Sequence, residues 1–343
     1  MKLKGGSHGK LFPTDGLFHG SHAGLTMRGL TNYRLSCCVN TLVQTLSATW
    51  ELSDLLQQWN TAGVRSGSLN VPLQLKRLLL AMMNDVPQHV PHRDFLHCLD
   101  RNAVSLNVQH DADEVFLSIL NSMYQQMDDR ELALEIQDLY KVSVETRLQC
   151  LECTSVQTRS SYLLSLPLRV KEDHNRLEDC ISSFLEVHEL RDINSCFCAR
   201  CETKTPSKQG VKLLSLPRIV CMHLKRFRYR HGNARKLNCQ VTFPETLDFC
   251  EIAKDGFSAD FAQSECTYTL YAVVVHCGGA TFGHYTAFVR DRVNQEWYHA
   301  DDSRVKRSSW ANVQRTYGNT AYSGTAYMLM YRRDERQQPQ LSG

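Results

Sequence analysis

The 343-residue chain has no apolar run approaching the roughly 18 residues of a membrane-spanning helix. Its first residues, Met1-Lys2-Leu3-Lys4-Gly5-Gly6-Ser7-His8, lack the apolar stretch of a secretory signal. An excess of one charge sign is missing too. Against 36 Asp and Glu stand 39 Lys and Arg, leaving a formal net charge of +3. That balance calls for neither a nucleic-acid partner nor a membrane surface. No internal repeat and no long low-complexity segment interrupts the chain. What is plentiful is cysteine, 14 in all. Without a secretory signal, so many thiols predict a reducing compartment, cytoplasmic or also nuclear, where they serve metal binding, catalysis or the core. A hydrophobic content of 42% supports a sizeable core in one large domain or a few lobes.

Periodicity divides the chain. Residues 1–28, rich in Gly, His and Ser, read as a flexible tail. Val39, Leu42, Val43, Leu46, Trp50, Leu52, Leu55 and Leu56 recur at three and four, predicting one amphipathic helix that begins close to Cys37. Helical spacing returns over Leu73 to Met83 and through Val115, Ile119, Leu120 and Met123, so the first third reads as a helical lobe. From about residue 140 short alternating runs take over. They include 142–144, 162–166, 219–224, 268–275, 285–289 and 326–331, separated by turn residues, and they predict antiparallel sheet. The Gln-rich end, 336–343, reads as a second flexible tail.

Three groups carry chemistry. Cys37 sits at a predicted helix start, where the macrodipole and N–H groups favour a thiolate. Asn32, five residues earlier, offers a side-chain amide to a developing oxyanion, and Asn40 and Gln44, one turn apart, suit ties to neighbouring loops. A turn followed by a buried helix with two core cysteines, Cys37 and Cys38, is the plainer alternative. Far downstream, a glycine-bearing loop leads to Gly283-His284-Tyr285, and Asp301-Asp302 follow a tryptophan. If the strands starting at His284 and ending near Asp301 are neighbours, a carboxylate lies beside the imidazole. Thiol, imidazole and carboxylate are then the parts of an activated nucleophile. The alternative is a hairpin with a surface histidine and a solvated acidic turn.

Two CxxC pairs, Cys150/Cys153 and Cys198/Cys201, have the spacing of zinc knuckles. Their separation predicts two hairpins clamped at their tips, with a four-thiolate structural zinc. Cys196 is a spare. Cys98, Cys180, Cys221, Cys239, Cys250, Cys266 and Cys277 read as core or surface thiols. Gln109 to Phe116 begins a helix for which simple capping suffices, and the basic run from His223 to Arg230 reads as a solvated strand end.

Taken together, these segments resemble the ubiquitin-specific protease family of cysteine deubiquitinases. The family pattern GLxNxGxxCYxNxxxQ is met by GLTNYRLSCCVNTLVQ, the Gln-Gln-Asp box by QHDADEVF, and the palm signature by Leu213 through Phe227. The histidine box is met by HCGGATFGHYTAFV, and its tail by WYHADDSRV. The resemblance implies an α+β, papain-like peptidase of thumb (about 29–140), zinc-bearing fingers (about 141–212) and palm (about 213–335). It implies Cys37 as nucleophile, His284 as base, Asp301 as third member, Asp302 as an assisting acid and Asn32 as oxyanion donor. It implies a structural zinc, no organic cofactor, a monomer, and hydrolysis through a thioester of the isopeptide bond to a modifier's C-terminal Gly-Gly tail.

The compact length, the Cys37-Cys38 pair and the ending around Thr316 to Tyr331 resemble the branch that acts on the interferon-induced two-domain ubiquitin-like modifier and restrains type I interferon receptor signalling by non-catalytic contacts. Ubiquitin itself is a further expected substrate. The chain departs from the family pattern at Arg34, Leu35, Cys38, His110 and Asp113; the first two are expected to re-aim the entry loop and so to bear on modifier preference more than on the chemistry.

Overall fold

The computed structural model describes residues 27–64, 69–83, 91–102, 104–230, 232–253, 256–258, 261, 266–319 and 324–334. The expected tails therefore lie outside the described residues, apart from Met27 and Arg28.

Six helices come first: α1 (Cys37–Ser47), α2 (Trp50–Gln58), α3 (Val71–Met83), α4 (His92–Asn102), α5 (Ala112–Gln126) and α6 (Arg130–Asp138). The single helix expected from Cys37 through Leu56 is two. Thr49 leaves the helical region, its hydroxyl donates to Thr45 O at 2.9 Å and shares a 2.7 Å bond with the Tyr271 hydroxyl. Helix α1 is buried along ten consecutive residues, so it is the axis of this lobe rather than an amphipathic surface helix. Asp111 caps α5, accepting from Asp113 N at 2.8 Å and from Glu114 N at 3.5 Å.

Strands follow: β1 (Val142–Cys150), β2 (Val156–Leu163), β3 (Leu166–Arg169) and β4 (Asn175–Arg176), then helix α7 (Leu177–Leu185). Next come β5 (His188–Leu190), β6 (Cys196–Cys198), β7 (Thr203–Thr205), β8 (Ser207–Ser215), β9 (Ile219–Lys225), β10 (Phe227–Arg230) and β11 (Asn233–Lys236). The chain continues with β12 (Val241–Thr242), β13 (Thr246–Asp248), the short α8 (Phe249–Ile252), β14 (Thr267–Gly278) and β15 (Gly283–Arg290). It ends with β16 (Trp297–Asp301), β17 (Arg304–Ser308), α9 (Trp310–Gln314) and β18 (Gly324–Arg333). One sheet of four strands runs β2-β1-β8-β5. A second runs β17-β16-β15-β14-β18-β9-β3, with β13 also on β14. Pairing is antiparallel except for β3 with β9 and β4 with β12, which are parallel.

The large sheet is buried on both faces, and strand alternation assigns each side chain to one of two cores. Along β9, Ile219 and Cys221 join the core shared with the six helices, whereas Val220, Met222 and Leu224 join a core closed by α7 and α8. The architecture is the expected α+β arrangement of helical thumb, β palm and β fingers.

Two readings need correcting. Cys250 and Cys266, taken as separate thiols, are joined by a disulfide. Pairing of Asp248 with Thr267, and the 3.0 Å bond from Phe249 N to Cys266 O, bring the two residues together. The run 162–166, taken as one strand, is divided. Beta-strand β2 ends at Leu163 in the small sheet and β3 begins at Leu166 in the large one, so the chain crosses between sheets in two residues.

Candidate active site

Cys37 is the first residue of α1 and 5% exposed. The turn before it is built by short bonds. Ser36 N and Ser36 Oγ both donate to Asn32 Oδ1 at 3.2 Å, and Tyr33 N donates to Ser36 Oγ at 2.9 Å. Arg34 takes a left-handed φ of 59° at the position where the family pattern has glycine. Its guanidinium donates to Asn107 Oδ1 at 3.2 Å, and Leu35 N donates to Leu106 O at 3.2 Å, which ties the turn to the loop ahead of α5.

Strand β15 brings His284 to this helix start. Its Nε2 lies 2.7 Å from Asp301 Oδ1 and 3.9 Å from Asp302 Oδ2. The Cys37 thiol beside the ring and Asp301 push the imidazole up to about 9 against the opposing effect of burial. Since Nε2 is taken by Asp301, Nδ1 is the nitrogen left for the thiol. The expected neighbourhood of the two strands is real, with Ala287 opposite Ala300.

Asp302 lies in the tight turn from β16 to β17 with a left-handed φ of 49°. Its Oδ2 accepts from Asn32 Nδ2 at 2.9 Å and its Oδ1 from Asn40 Nδ2 at 2.8 Å. Leu30 N donates to Asp302 O at 2.8 Å. The segment before the nucleophile is therefore laid across this turn so closely that a Cβ on Gly29 would meet Ser303 O at 2.2 Å. Asn40 also donates to Leu30 O and Thr31 O at 3.3 Å, and Gln44 donates to Arg28 O at 2.7 Å, so both act as the expected ties.

The five residues singled out at this site, Cys37, His284, Asp301, Asp302 and Asn32, thus come together. Others were missed. Gln109, matched to the Gln-Gln-Asp box but given no role at the site, clamps the strand that bears the histidine. Its Nε2 donates to Gly283 O and its Oε1 accepts from Gly283 N, both at 2.8 Å. Gly29 and Gly283 are needed for close approach; a Cβ on Gly283 would meet Cys277 O and His276 Nε2 at 2.3 Å. Their placement directly beside the motif residues was the available signal. Asp113, which departs from the family pattern, faces His223 Nδ1 at 3.2 Å. Burial raises its pKa most, but the bond and charge of His223, with Ser165 and Lys225, together outweigh this and hold it low. The Tyr327 hydroxyl bonds both Asp111 and His223.

The two CxxC units occupy hairpin turns, β1–β2 and β6–β7, whose tips meet. The Sγ atoms of Cys150, Cys153, Cys198 and Cys201 lie within 4.8 Å of one another, with Cys150–Cys201 at 3.9 Å and Cys153–Cys198 at 3.5 Å. Sulfurs about 2.3 Å from a central zinc make a tetrahedron with edges of about 3.8 Å, so the cluster has the size and chemistry to hold a metal ion. Cys196 stays outside it, directed at Asn194 O.

The basic run reaches solvent at Lys225 and Tyr229 as read, but one of its members turns inward. Arg226 is fully buried and donates to the carbonyls of Ala326, Leu237, Cys239 and Tyr317. No helix of the described residues is long and apolar enough to cross a membrane.

The family profile described as ubiquitin carboxyl-terminal hydrolase matches residues 28–331. Human Ubl carboxyl-terminal hydrolase 18 is 34% identical over 317 residues, covering 90% of this chain and 85% of that protein. The mouse protein of the same name is 36% identical over 312 residues, covering 88% and 84%. Drosophila melanogaster ubiquitin carboxyl-terminal hydrolase 47 is 25% identical over 391 residues, covering 91% of this chain and 25% of its own. A match across nearly the whole chain, centred on a thiol, an imidazole and two carboxylates, makes this protein a member of the ubiquitin carboxyl-terminal hydrolase family of cysteine-type hydrolases.

Proposed function

We propose that the chain is a thiol isopeptidase that cleaves the bond between the C-terminal glycine of a ubiquitin-like modifier and a target lysine. The observation that carries this reading is Cys37, at the N-terminus of a buried helix, beside an imidazole that Asp301 holds at 2.7 Å. Below about pH 9 His284 carries its proton and presents an imidazolium to the sulfur of Cys37. Cys37 Sγ attacks the glycyl carbonyl, and the oxyanion that forms is met by the backbone N–H of Cys37 and by the Asn32 amide. One hydrogen of that amide is already committed to Asp302. His284 then protonates the departing lysine amine, leaving a thioester on Cys37. Water, giving its proton to His284, attacks the thioester, and the modifier leaves with a free carboxylate. Asp301 holds the imidazole in one orientation throughout.

In the fingers we assign zinc to Cys150, Cys153, Cys198 and Cys201, with a structural role because all four positions are filled by protein. The hydroxyls of Ser155 and Thr205 bond the sulfurs of Cys153 and Cys150 at 3.1 Å and would orient them.

For the modifier we propose the interferon-induced two-domain protein, with ubiquitin as the general alternative. Near-full-length similarity to proteins named Ubl carboxyl-terminal hydrolase 18 supports that choice. A role in lowering type I interferon signalling, through the receptor and its signalling proteins and from the cytoplasm or nucleus, belongs to the same proposal. Labelling of Cys37 by electrophilic probes made from the two modifiers tests it. Preferential capture by the two-domain probe is expected; equal or preferred capture by ubiquitin refutes the choice of modifier. Failure of both probes, with conjugates left intact, would leave a protein that binds modifiers without turning them over.

A further inference from the structure

Behind the acidic pair runs a second line of hydrogen bonds that ends on a histidine from another helix. His92, the first residue of α4, is 5% exposed. Its Nε2 lies 2.8 Å from Asn40 Oδ1. The nitrogen of the Asn40 amide is committed to three oxygens: Asp302 Oδ1, Leu30 O and Thr31 O. Its oxygen can therefore only accept from the histidine, so the proton of the His92 ring sits on Nε2. Burial pushes this imidazole down to about 4, which keeps it neutral at ordinary pH and leaves it a single-proton donor on that side. The ring also rests against Tyr33 at 5.8 Å between centroids, and the Arg93 guanidinium covers the same tyrosine at 4.6 Å. The first turn of α4 thus supports the turn that leads into Cys37.

Asn40 can rotate its amide by half a turn at little steric cost. In the rotated state its oxygen would face the Asp302 carboxylate, and its nitrogen would face His92. A donor at His92 opposes that rotation, because two donors would then meet while two acceptors met at Asp302. Asp302 has a short reach to everything that matters at the site. It holds Asn32 through Oδ2 and stands 3.9 Å from His284 Nε2.

We propose that His92 is a positioning residue for the hydrolase, whose Nε2–H fixes the Asn40 amide and thereby holds the Asp302 carboxylate and the Asn32 amide in their working orientation. The inference rests on the isopeptidase reading for its kinetic consequence but not for its structural one, and the experiment separates the two. His92→Phe keeps an aromatic ring against Tyr33 and removes the donor. His92→Gln loses the ring and keeps an N–H of similar reach. Expected is a fall in kcat of about tenfold to about a hundredfold for His92→Phe, with KM within about twofold, since misplaced groups slow chemistry more than binding. His92→Gln is expected to stay within about threefold of the parent protein. In parallel, the side-chain amide resonances of Asn32 and Asn40 are recorded in all three proteins. They should move in His92→Phe and stay in His92→Gln. Unmoved resonances in His92→Phe overturn the proposal, whether or not the protein cleaves conjugates. Equal kinetic losses in both variants, tracking a common fall in melting temperature, also overturn it and leave His92 a packing residue of α4. If the parent protein cleaves nothing while the resonances behave as expected, the isopeptidase reading fails and the positioning chain stands.

Discussion

Palm and fingers are both built from antiparallel strands, yet they are held together by different means. In the palm, β18 is buried at nine of its ten positions, and residues 270–276 of β14 are buried without a break. In the fingers, β2 is exposed at seven of its eight positions. A two-sided core stabilises the one. The other has little apolar surface to remove from water and is closed at its tip by four thiols. The contrast matches what each part must do. Groups that meet at 2.7–2.9 Å for chemistry need the rigidity of packed surfaces, while the proposed binding of a folded modifier would need side chains facing outward.

The most drastic way to sharpen this comparison is Cys37→Ala. Conjugate hydrolysis should fall by about 10⁴-fold or more, while modifier binding, measured by calorimetry, is retained because the fingers are untouched. Next comes the zinc proposed for the four thiols. Chelation, or Cys153→Ser, should expose the amides of β1, β2 and β8 to hydrogen exchange while those of β14 and β18 stay protected. KM should rise with kcat nearly unchanged. Loss of protection in the palm at the same rate would break the distinction between the two lobes.

The palm's own weak point is Arg226, which holds four carbonyls and, among the described residues, no carboxylate. Arg226→Met strands those acceptors, each costing about 1–3 kcal/mol when buried, so denaturant unfolding should show a loss of at least about 3 kcal/mol. Gly29→Ala is milder. Its Cβ must displace the backbone of Ser303, for about 1–3 kcal/mol, and kcat should suffer more than stability because that turn carries Asp302.

The smallest effect concerns pH. His284 is raised above its ordinary value, so the bonds that raise it are fully present below about 6.5 and disappear as pH climbs through about 9. Activity that needs the imidazolium should fall on an alkaline limb near 9. Asp301→Ala should move that limb to lower pH, and a pH profile of kcat that stayed put would remove Asp301 from the pair.

Much of this was legible beforehand. Helical spacing over Leu73 to Met83 became α3 at Val71–Met83, and the two CxxC units became two facing turns. Short-range patterns of this kind depend on backbone period and residue type, which the chain carries locally. The break at Thr49 was not legible, because it follows from a hydroxyl contact with Tyr271, 222 residues away. Nor was the burial of Arg226, since a basic run in a strand says nothing about which carbonyls surround it. The disulfide between Cys250 and Cys266 likewise waits on β13 meeting β14.

The amino-acid sequence alone determined the reactive types and their setting: a thiol at a helix start, an imidazole opening a strand after glycines, paired thiols at metal spacing. Tertiary structure decided which acid does what. Asp301 and Asp302 are adjacent in the chain, but one ends β16 and the other turns left-handed out of it, so their carboxylates take different partners. Asp301 faces His284 and Asp302 faces Asn32 and Asn40. The reason is geometric: the left-handed φ of Asp302 turns the chain out of β16, and the partner each carboxylate meets is set by how distant segments pack against that turn.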